Sequence, residues 1–364
     1  MSTPVTTKRS KVIYVEILRI IAIVFVVFHH TNYQGYVRFT TYGAGSFPYW
    51  ICMVFSVLAG ISVPLFFMIS GMLLLGKEDE TIGYVWKKRI LKYLIVLLVF
   101  SLWRYIRGIG YDFGQFSVTD LLTRLYSGQV TVTYWFLYAY IAFLIQLPFL
   151  RKIAKGFTSK EFCLMLAIQA AFNGVFIFLQ YRMSAGTVEY PGALIPVICT
   201  NTLVFYPLTG YYLGKVLDKV TTKMCLISLA AFLVSVAATM YLTDYRIKLT
   251  GDLDETAVAS FFDSFRAFEV IFIFLIVRKL FEGRKLSKVI EALVISLGGC
   301  VFGIYLIETV VREDLISVYL GMSSAMNGFV SIWIYVLLVV LVCWVIVAAV
   351  RFVVGFAGKL LKRS

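Results

Sequence analysis

Residues 13–33 read IYVEILRIIAIVFVVFHHTNY. From Ile13 to Phe28 only Glu16 and Arg19 are charged at neutral pH; the rest is Ile, Val, Leu, Phe, Ala and one Tyr. A bilayer core of about 30 Å is crossed by roughly 20 mostly apolar residues in a helix, the form that satisfies its own backbone polar groups in hydrocarbon. The stretch therefore predicts a membrane-crossing helix. It is too long for the apolar part of a secretory leader, and no small-residue cleavage site follows it, so a cleaved signal is not expected.

Nine further stretches of the same kind follow: Ile51–Leu75, Ile90–Ile106, Tyr134–Leu150, Phe162–Tyr181, Leu194–Leu213, Met224–Leu242, Phe261–Leu280, Leu293–Val311 and Phe329–Val353. The whole chain agrees with them. Of its 364 residues 60% are hydrophobic and 15% charged, against about 25% charged in soluble domains. The predicted fold is all-α, a polytopic integral membrane bundle of about ten transmembrane helices. It divides into a cytoplasmic N-terminal segment (1–12), one transmembrane domain (13–354) and a basic cytoplasmic tail (355–364).

Charge orients the bundle. An even number of spans puts both termini on one side. If that side is the cytoplasm, 24 of the 34 Lys and Arg lie on inner segments and inner span ends and 8 lie outside, with Arg19 and Arg266 left within spans. Positive charge collects on cytoplasmic loops, so both termini are expected in the cytoplasm, at the cell membrane. The net charge of +14 is then a topological signal. Nucleic acid is not an expected partner, since no basic stretch sits in a soluble domain. The six cysteines fall in apolar stretches without metal-ligand spacing, and they read as small packing residues. No metal is expected.

Ionisable groups inside a span are costly and point to function. At 100° per residue Arg19 and His30, eleven apart, lie about 20° from each other around the helix axis, and Glu16 lies about 40° from His30. His29 points roughly 80° away from Arg19. Glu16, Arg19 and His30 thus form one polar stripe on an apolar helix. Either they lock the bundle through interhelical hydrogen bonds, or they do chemistry. His30 suits a general base. Arg19, about 16 Å deeper at 1.5 Å per residue, suits holding an anionic or carbonyl-bearing group. Gln169, Asn173 and Gln180 share a face of the fifth span, lining a polar channel or bonding to neighbours. Asp263, Arg266 and Glu269 form either an acceptor-binding group or a self-satisfied ion network.

These residues resemble the acyltransferase-3 family of membrane acyltransferases. The family's hallmark is an Arg, ten residues and a His in the first transmembrane helix, which Arg19 and His30 match. Val63 to Gly71 (VPLFFMISG) is similar to its second-helix signature, Trp86 to Lys92 (WKKRILK) to its cytoplasmic Arg-x-x-Arg segment, and Tyr134 to Leu137 (YWFL) to the start of its fourth-helix motif. Phe302 to Ile307 (FGIYLI) resembles a late-helix motif often followed by His, where this chain has Glu308. A second departure is Lys92 in place of Arg, which keeps the charge but loses the bidentate fork.

The resemblance implies an O-acyltransferase, usually an O-acetyltransferase. The acyl group comes from cytoplasmic acetyl-CoA or another acyl-CoA and ends on a hydroxyl of a cell-surface glycan or lipid-linked saccharide. The protein would act alone or hand the group to a separate extracytoplasmic acyl acceptor protein. In that reading His30 is the base, with Arg19 and Glu16 as its catalytic companions. Lys87, Lys88, Arg89 and Lys92 meet the CoA phosphates, unless they are ordinary inner-side charge. Trp135, Arg266 and Glu308 would meet the acceptor, Trp135 being otherwise an interfacial anchor. The competing readings are a transporter or flippase for a saccharide or lipid, which uses the polar stripe as a pathway, and a non-catalytic membrane scaffold.

Overall fold

The computed structural model describes residues 12–77, 80–128, 130–184 and 192–360, and among them every regular element is helical. Residues 1–11 of the N-terminal segment and 361–364 of the basic tail lie outside these. The bundle helices are α1 (Ile13–His29), α2 (Phe47–Ala59), α3 (Ser62–Leu74), α4 (Leu91–Gly108), α5 (Trp135–Lys155) and α6 (Ser159–Ala170). Then come α7 (Phe176–Ser184), α8 (Thr202–Tyr211), α9 (Thr222–Thr250), α10 (Arg266–Phe281), α11 (Lys288–Asp314) and α12 (Gly328–Leu360). Shorter helices over Val118–Tyr126 and Ile316–Ala325 sit in the connections.

Each of the ten apolar stretches carries helix. Six helical segments are both long and apolar enough to cross a membrane: Phe47–Leu74, Val132–Lys155, Ser159–Met183, Thr222–Thr250, Lys288–Asp314 and Gly328–Gly355. The other four are shorter or more charged, and three of them are interior helices. In α8 every residue from Val204 to Gly210 is buried. α10 buries nine of its 16 residues, and α1 buries nine of its 17 while packing on α3, α10, α11 and α12. A helix surrounded by protein need not match the hydrocarbon thickness, because neighbouring helices replace lipid around it. The fourth, α4, carries Lys92, Arg104 and Arg107 in its 18 residues. It buries Leu97, Ser101 and Tyr105 and exposes Leu91, Leu94, Ile95, Leu98 and Leu102. Exposing the apolar face is the reverse of a soluble amphipathic helix and fits contact with acyl chains.

Helix starts follow local sequence. Ser46, Thr158, Asn201, Thr221 and Ser287 each cap a helix by accepting a hydrogen bond from its first turn, which satisfies donors otherwise left open. The second predicted span is broken at Gly60-Ile61, between α2 and α3. Pro64 lies in the first turn of α3, where no N–H is needed. α6 continues into α7 through a π-helical turn, Ala171–Val175. Of the cysteines, Cys52, Cys225, Cys300 and Cys343 are buried as expected, whereas Cys163 is exposed on α6.

The basic segment ahead of α4 is tied down by one carboxylate. Glu80 accepts from Arg89, with Nε at 2.9 Å, and from Arg151 Nη2 at 2.7 Å. Arg151 also donates to the carbonyls of Leu74 and Glu80, each at 3.1 Å. Burial favours the neutral acid, but the hydrogen bonds from Arg89 and Arg151 outweigh it and hold Glu80 down at about 2. A depressed carboxylate stabilises the fold above its ordinary pKa of 4.5, and that contribution is lost as pH falls toward about 2. At face value the shift is worth about 3 kcal/mol, which solvent screening reduces to about 1–2 kcal/mol. Glu80→Gln is expected to lower the melting temperature in detergent at pH 7, with the gap from wild type closing as pH drops below 4.5.

Candidate active site

The polar stripe of α1 is real, but its members occupy different compartments. Arg19 Nη1 donates to Glu16 Oε1 at 2.8 Å, and the Glu16 side chain is buried while that of Arg19 is 28% exposed. Glu16 lies against Gly298 of α11, where a Cβ would press on its side chain and on its Cα, 3.1 Å away. The glycine thus lets α1 and α11 approach closely.

One end of the stripe is set by the end of α1. His30 is its C-cap, and its N–H bonds to the Val26 carbonyl at 3.0 Å. The chain then turns back through Asn32, whose φ of 48° lies in the left-handed region that Asn tolerates. Thr31 holds the turn by donating to the Phe28 carbonyl at 2.6 Å and accepting from Tyr36 N at 3.1 Å. The His29 ring stacks on Tyr36, with centroids 4.0 Å apart and an angle of 16°, and the two histidine rings meet edge to face at 6.0 Å.

His30 Nδ1 lies 2.6 Å from Glu308 Oε1 of α11. Glu308 is fully buried, and the same oxygen accepts from Thr309 Oγ1 at 2.7 Å. Its other oxygen lies 3.9 Å from Arg312 Nε, outside hydrogen-bond range. A carboxylate at Nδ1 selects the tautomer with the proton there and leaves Nε2 as the basic nitrogen. Glu308, expected among acceptor-binding residues, sits behind the histidine and does not line either of the two cavities described next.

Two cavities follow the stripe, labelled outer for the His30 end of α1 and inner for the Arg19 end. The outer one, about 940 Å³, is lined by His29, His30, Trp135, Gln169, Asn173 and Arg266, among others. The inner one, about 350 Å³, is lined by Arg19, Ser70, Tyr93, Tyr140, Gly298 and Gly299, among others. Phe66, Phe136 and Tyr305 line both, so the two chambers share an aromatic wall. The Tyr305 hydroxyl donates to the Thr133 carbonyl at 2.6 Å, and the Tyr134 hydroxyl to the Leu306 carbonyl at 2.9 Å. These two bonds pin the start of α5 to α11 beside Glu308.

The remaining expected site residues divide. Trp135, 45% exposed, sits on the outer cavity. Arg266 is buried and donates to the carbonyls of Gly60, at 2.8 Å, and Phe262, and pairs with Asp263 at 2.8 Å. A Cβ at Gly60 would occupy its guanidinium, so that glycine exists for the arginine, and the arginine braces the break between α2 and α3. Neither carboxylate oxygen of buried Glu269 finds a hydrogen-bond partner. In the basic segment Arg89 is committed to Glu80. Lys87, Lys88 and Lys92 are exposed, with the Lys92 ammonium 5.9 Å from the Tyr93 ring centroid. Gln169 and Asn173 line the outer cavity. Among the described residues no three His, Cys, Asp or Glu side chains gather as metal ligands.

Sequence reasoning missed the His30–Glu308 pairing, the roles of Arg151 and Tyr305, and the acidic pair Asp254 and Glu255 beside the outer cavity. Glu308 followed a family motif at the place usually held by His, and that was the one available hint.

Among the described residues an all-helical bundle with apolar outer faces, a half-buried histidine on a buried carboxylate and two cavities that share an aromatic wall fit a membrane protein. The sequence model of the acyltransferase-3 family, described as an acyltransferase domain, matches residues 12–350. The chain belongs to that family and is a membrane acyltransferase, which requires an acyl donor and an acceptor. No curated protein and no solved structure matches it.

Proposed function

We propose that the protein is an O-acyltransferase, with acetyl as the group moved. It takes the acyl group from cytoplasmic acyl-CoA to a hydroxyl of a cell-surface glycan or lipid-linked saccharide. The chain crosses the cell membrane ten times with both termini in the cytoplasm. The observation that carries this reading is the pair of cavities on one polar stripe. Arg19 lines the inner one and His30 the outer one, with a shared wall of Phe66, Phe136 and Tyr305. CoA would leave its phosphates near Lys87, Lys88 and Lys92, where cations are free to meet them. Its thin pantetheine arm would pass Arg19 and the aromatic wall to bring the thioester to His30.

There His30 Nε2 takes the proton of the acceptor hydroxyl as the oxygen attacks the thioester carbonyl. The tetrahedral intermediate collapses by breaking the C–S bond, and the imidazolium returns the proton to the departing thiolate. Glu308 stabilises the imidazolium between these steps, as a carboxylate behind a catalytic histidine does. Transfer from thioester to alcohol needs no redox partner and no metal.

The test is acyl transfer by the purified protein in liposomes, from acetyl-CoA on one side to a disaccharide on the other. Wild type is expected to acetylate the disaccharide and release CoA. Arg19→Ala is expected to lower kcat/KM for the donor by about tenfold to a hundredfold through loss of a charge-assisted contact, with Arg19→Lys intermediate. Uptake of saccharide without consumption of any acyl-CoA would sink this reading in favour of a transporter.

A further inference from the structure

The outer cavity is built to accept hydrogen bonds. Gln169 is 3% exposed, lines this cavity, and its Oε1 has no hydrogen-bond partner. An acceptor atom left open in a buried site is costly unless a ligand donates to it. Asp254, Glu255 and Asp263 line the same cavity. Among the described lining residues Arg266 is the one Lys or Arg, and its charge is already met by Asp263 and by the Gly60 and Phe262 carbonyls. The balance of the lining is therefore acidic.

Glu255 is held in place. Its backbone N–H donates to the Tyr33 hydroxyl at 3.2 Å, and Asp254 caps the same turn by accepting from Thr256 N at 2.9 Å. Tyr33 lies three residues beyond His30 and lines the cavity as well. Burial raises the Glu255 carboxyl and Asp254 raises it further, while His30 draws it back. A cationic partner at this carboxylate would offset the cost of its burial. Trp135 offers an apolar face at the same cavity. The volume of about 940 Å³ is near the upper end of small-molecule sites, roughly 300–1,000 Å³.

We infer that this cavity takes as acceptor a saccharide bearing a protonated amino group, and that it disfavours saccharides bearing carboxylate, phosphate or sulfate. The inference rests on the acyltransferase reading for the identity of the cavity as the acceptor site. The ammonium meets Glu255 and Asp254, a hydroxyl or N–H donates to Gln169 Oε1, and another hydroxyl faces His30.

Two readouts on the full-length protein test it. Three β-linked disaccharides serve as probes: a glucosamine disaccharide assayed below the pKa of its amine, cellobiose, and cellobiouronic acid. Direct titration gives their binding, and transfer from acetyl-CoA gives kcat/KM for each. The glucosamine disaccharide is expected to lead the anionic probe by about tenfold or more in both. Glu255→Gln should bring the amine-bearing and neutral probes within about threefold of each other, and Glu255→Lys should favour the anionic one. Gln169→Leu should weaken all three alike, because it removes an acceptor for hydroxyl and N–H donors in common. Equal binding of the anionic and amine-bearing probes by wild type, or a preference untouched by Glu255→Gln, overturns the inference. Transfer to all three probes without preference would do so while leaving the acyltransferase reading intact. The expected order in binding without any acetyl transfer would instead uphold the site and overturn that reading.

Discussion

Replacing His30 by Ala is expected to lower acyl transfer by about 10²–10⁴-fold, the usual contribution of a positioned general base. The loss should fall on kcat, with donor binding little changed, since Arg19 and the exposed lysines lie elsewhere. Single-turnover acetyl transfer in liposomes measures the first and CoA titration the second. Ala also strips the buried Glu308 of its 2.6 Å partner and leaves it Thr309 and the more distant Arg312, and taking a partner from a buried carboxylate destabilises a fold. His30→Asn separates the two effects. Its side-chain amide can still donate to Glu308 but cannot act as a base, so stability should recover while activity does not. Glu308→Gln is expected to cost about 10²-fold or more, because the imidazolium loses its counter-charge and the tautomer its selector. The double variant should be no slower than His30→Ala alone, as expected for a residue that acts through another. More than a tenth of wild-type activity in folded His30→Asn would remove His30 from the mechanism.

The largest structural effect is expected at the crossing of α3 and α8. A Cβ on Gly71 would run into the backbone of Pro207, and one on Gly210 into the backbone of Met68. The two glycines let the helices touch backbone to backbone, the arrangement that small residues allow where lipid offers no hydrophobic drive for association. Neither neighbour can rotate away, since both are main chain. Gly71→Ala or Gly210→Ala is therefore expected to cost about 3 kcal/mol, the upper part of the overpacking range, and to lower the melting temperature in detergent sharply. Activity should fall as well, because α3 carries Phe66 of the shared wall and Ser70 of the inner cavity. Gly83→Ala is the control, with nothing within 4 Å of the added Cβ. An unchanged melting temperature for Gly71→Ala would mean that the helices stand further apart.

Much of the candidate site is legible in one helix. The spacing of Glu16, Arg19 and His30 places them on one side of α1, and the structure puts Arg19 on Glu16 and His30 on the outer cavity. The basic run from Lys87 to Lys92 reads as one cluster, yet in the structure it divides. Arg89 is taken by Glu80, and the three lysines stay exposed. No spacing rule could show that, because Arg151, another partner of Glu80, comes from a helix 71 residues further along.

That this is a helical membrane protein, where its apolar stretches lie, and which helix carries the Glu16–Arg19–His30 stripe can all be read from the order of residues. Hydrocarbon demands a self-satisfied backbone and a minimum apolar length, and both are local properties. Tertiary structure alone decided that Glu308 backs His30 from 278 residues away. It also decided that Gly60 makes room for Arg266, and that an aromatic wall stands between the chambers of Arg19 and His30. Helical periodicity sets the direction in which a side chain leaves its own axis. Which helix stands opposite is settled by packing among all of them, and in a bundle with an apolar exterior as well as an apolar interior, the hydrophobic pattern does not say which face turns inward.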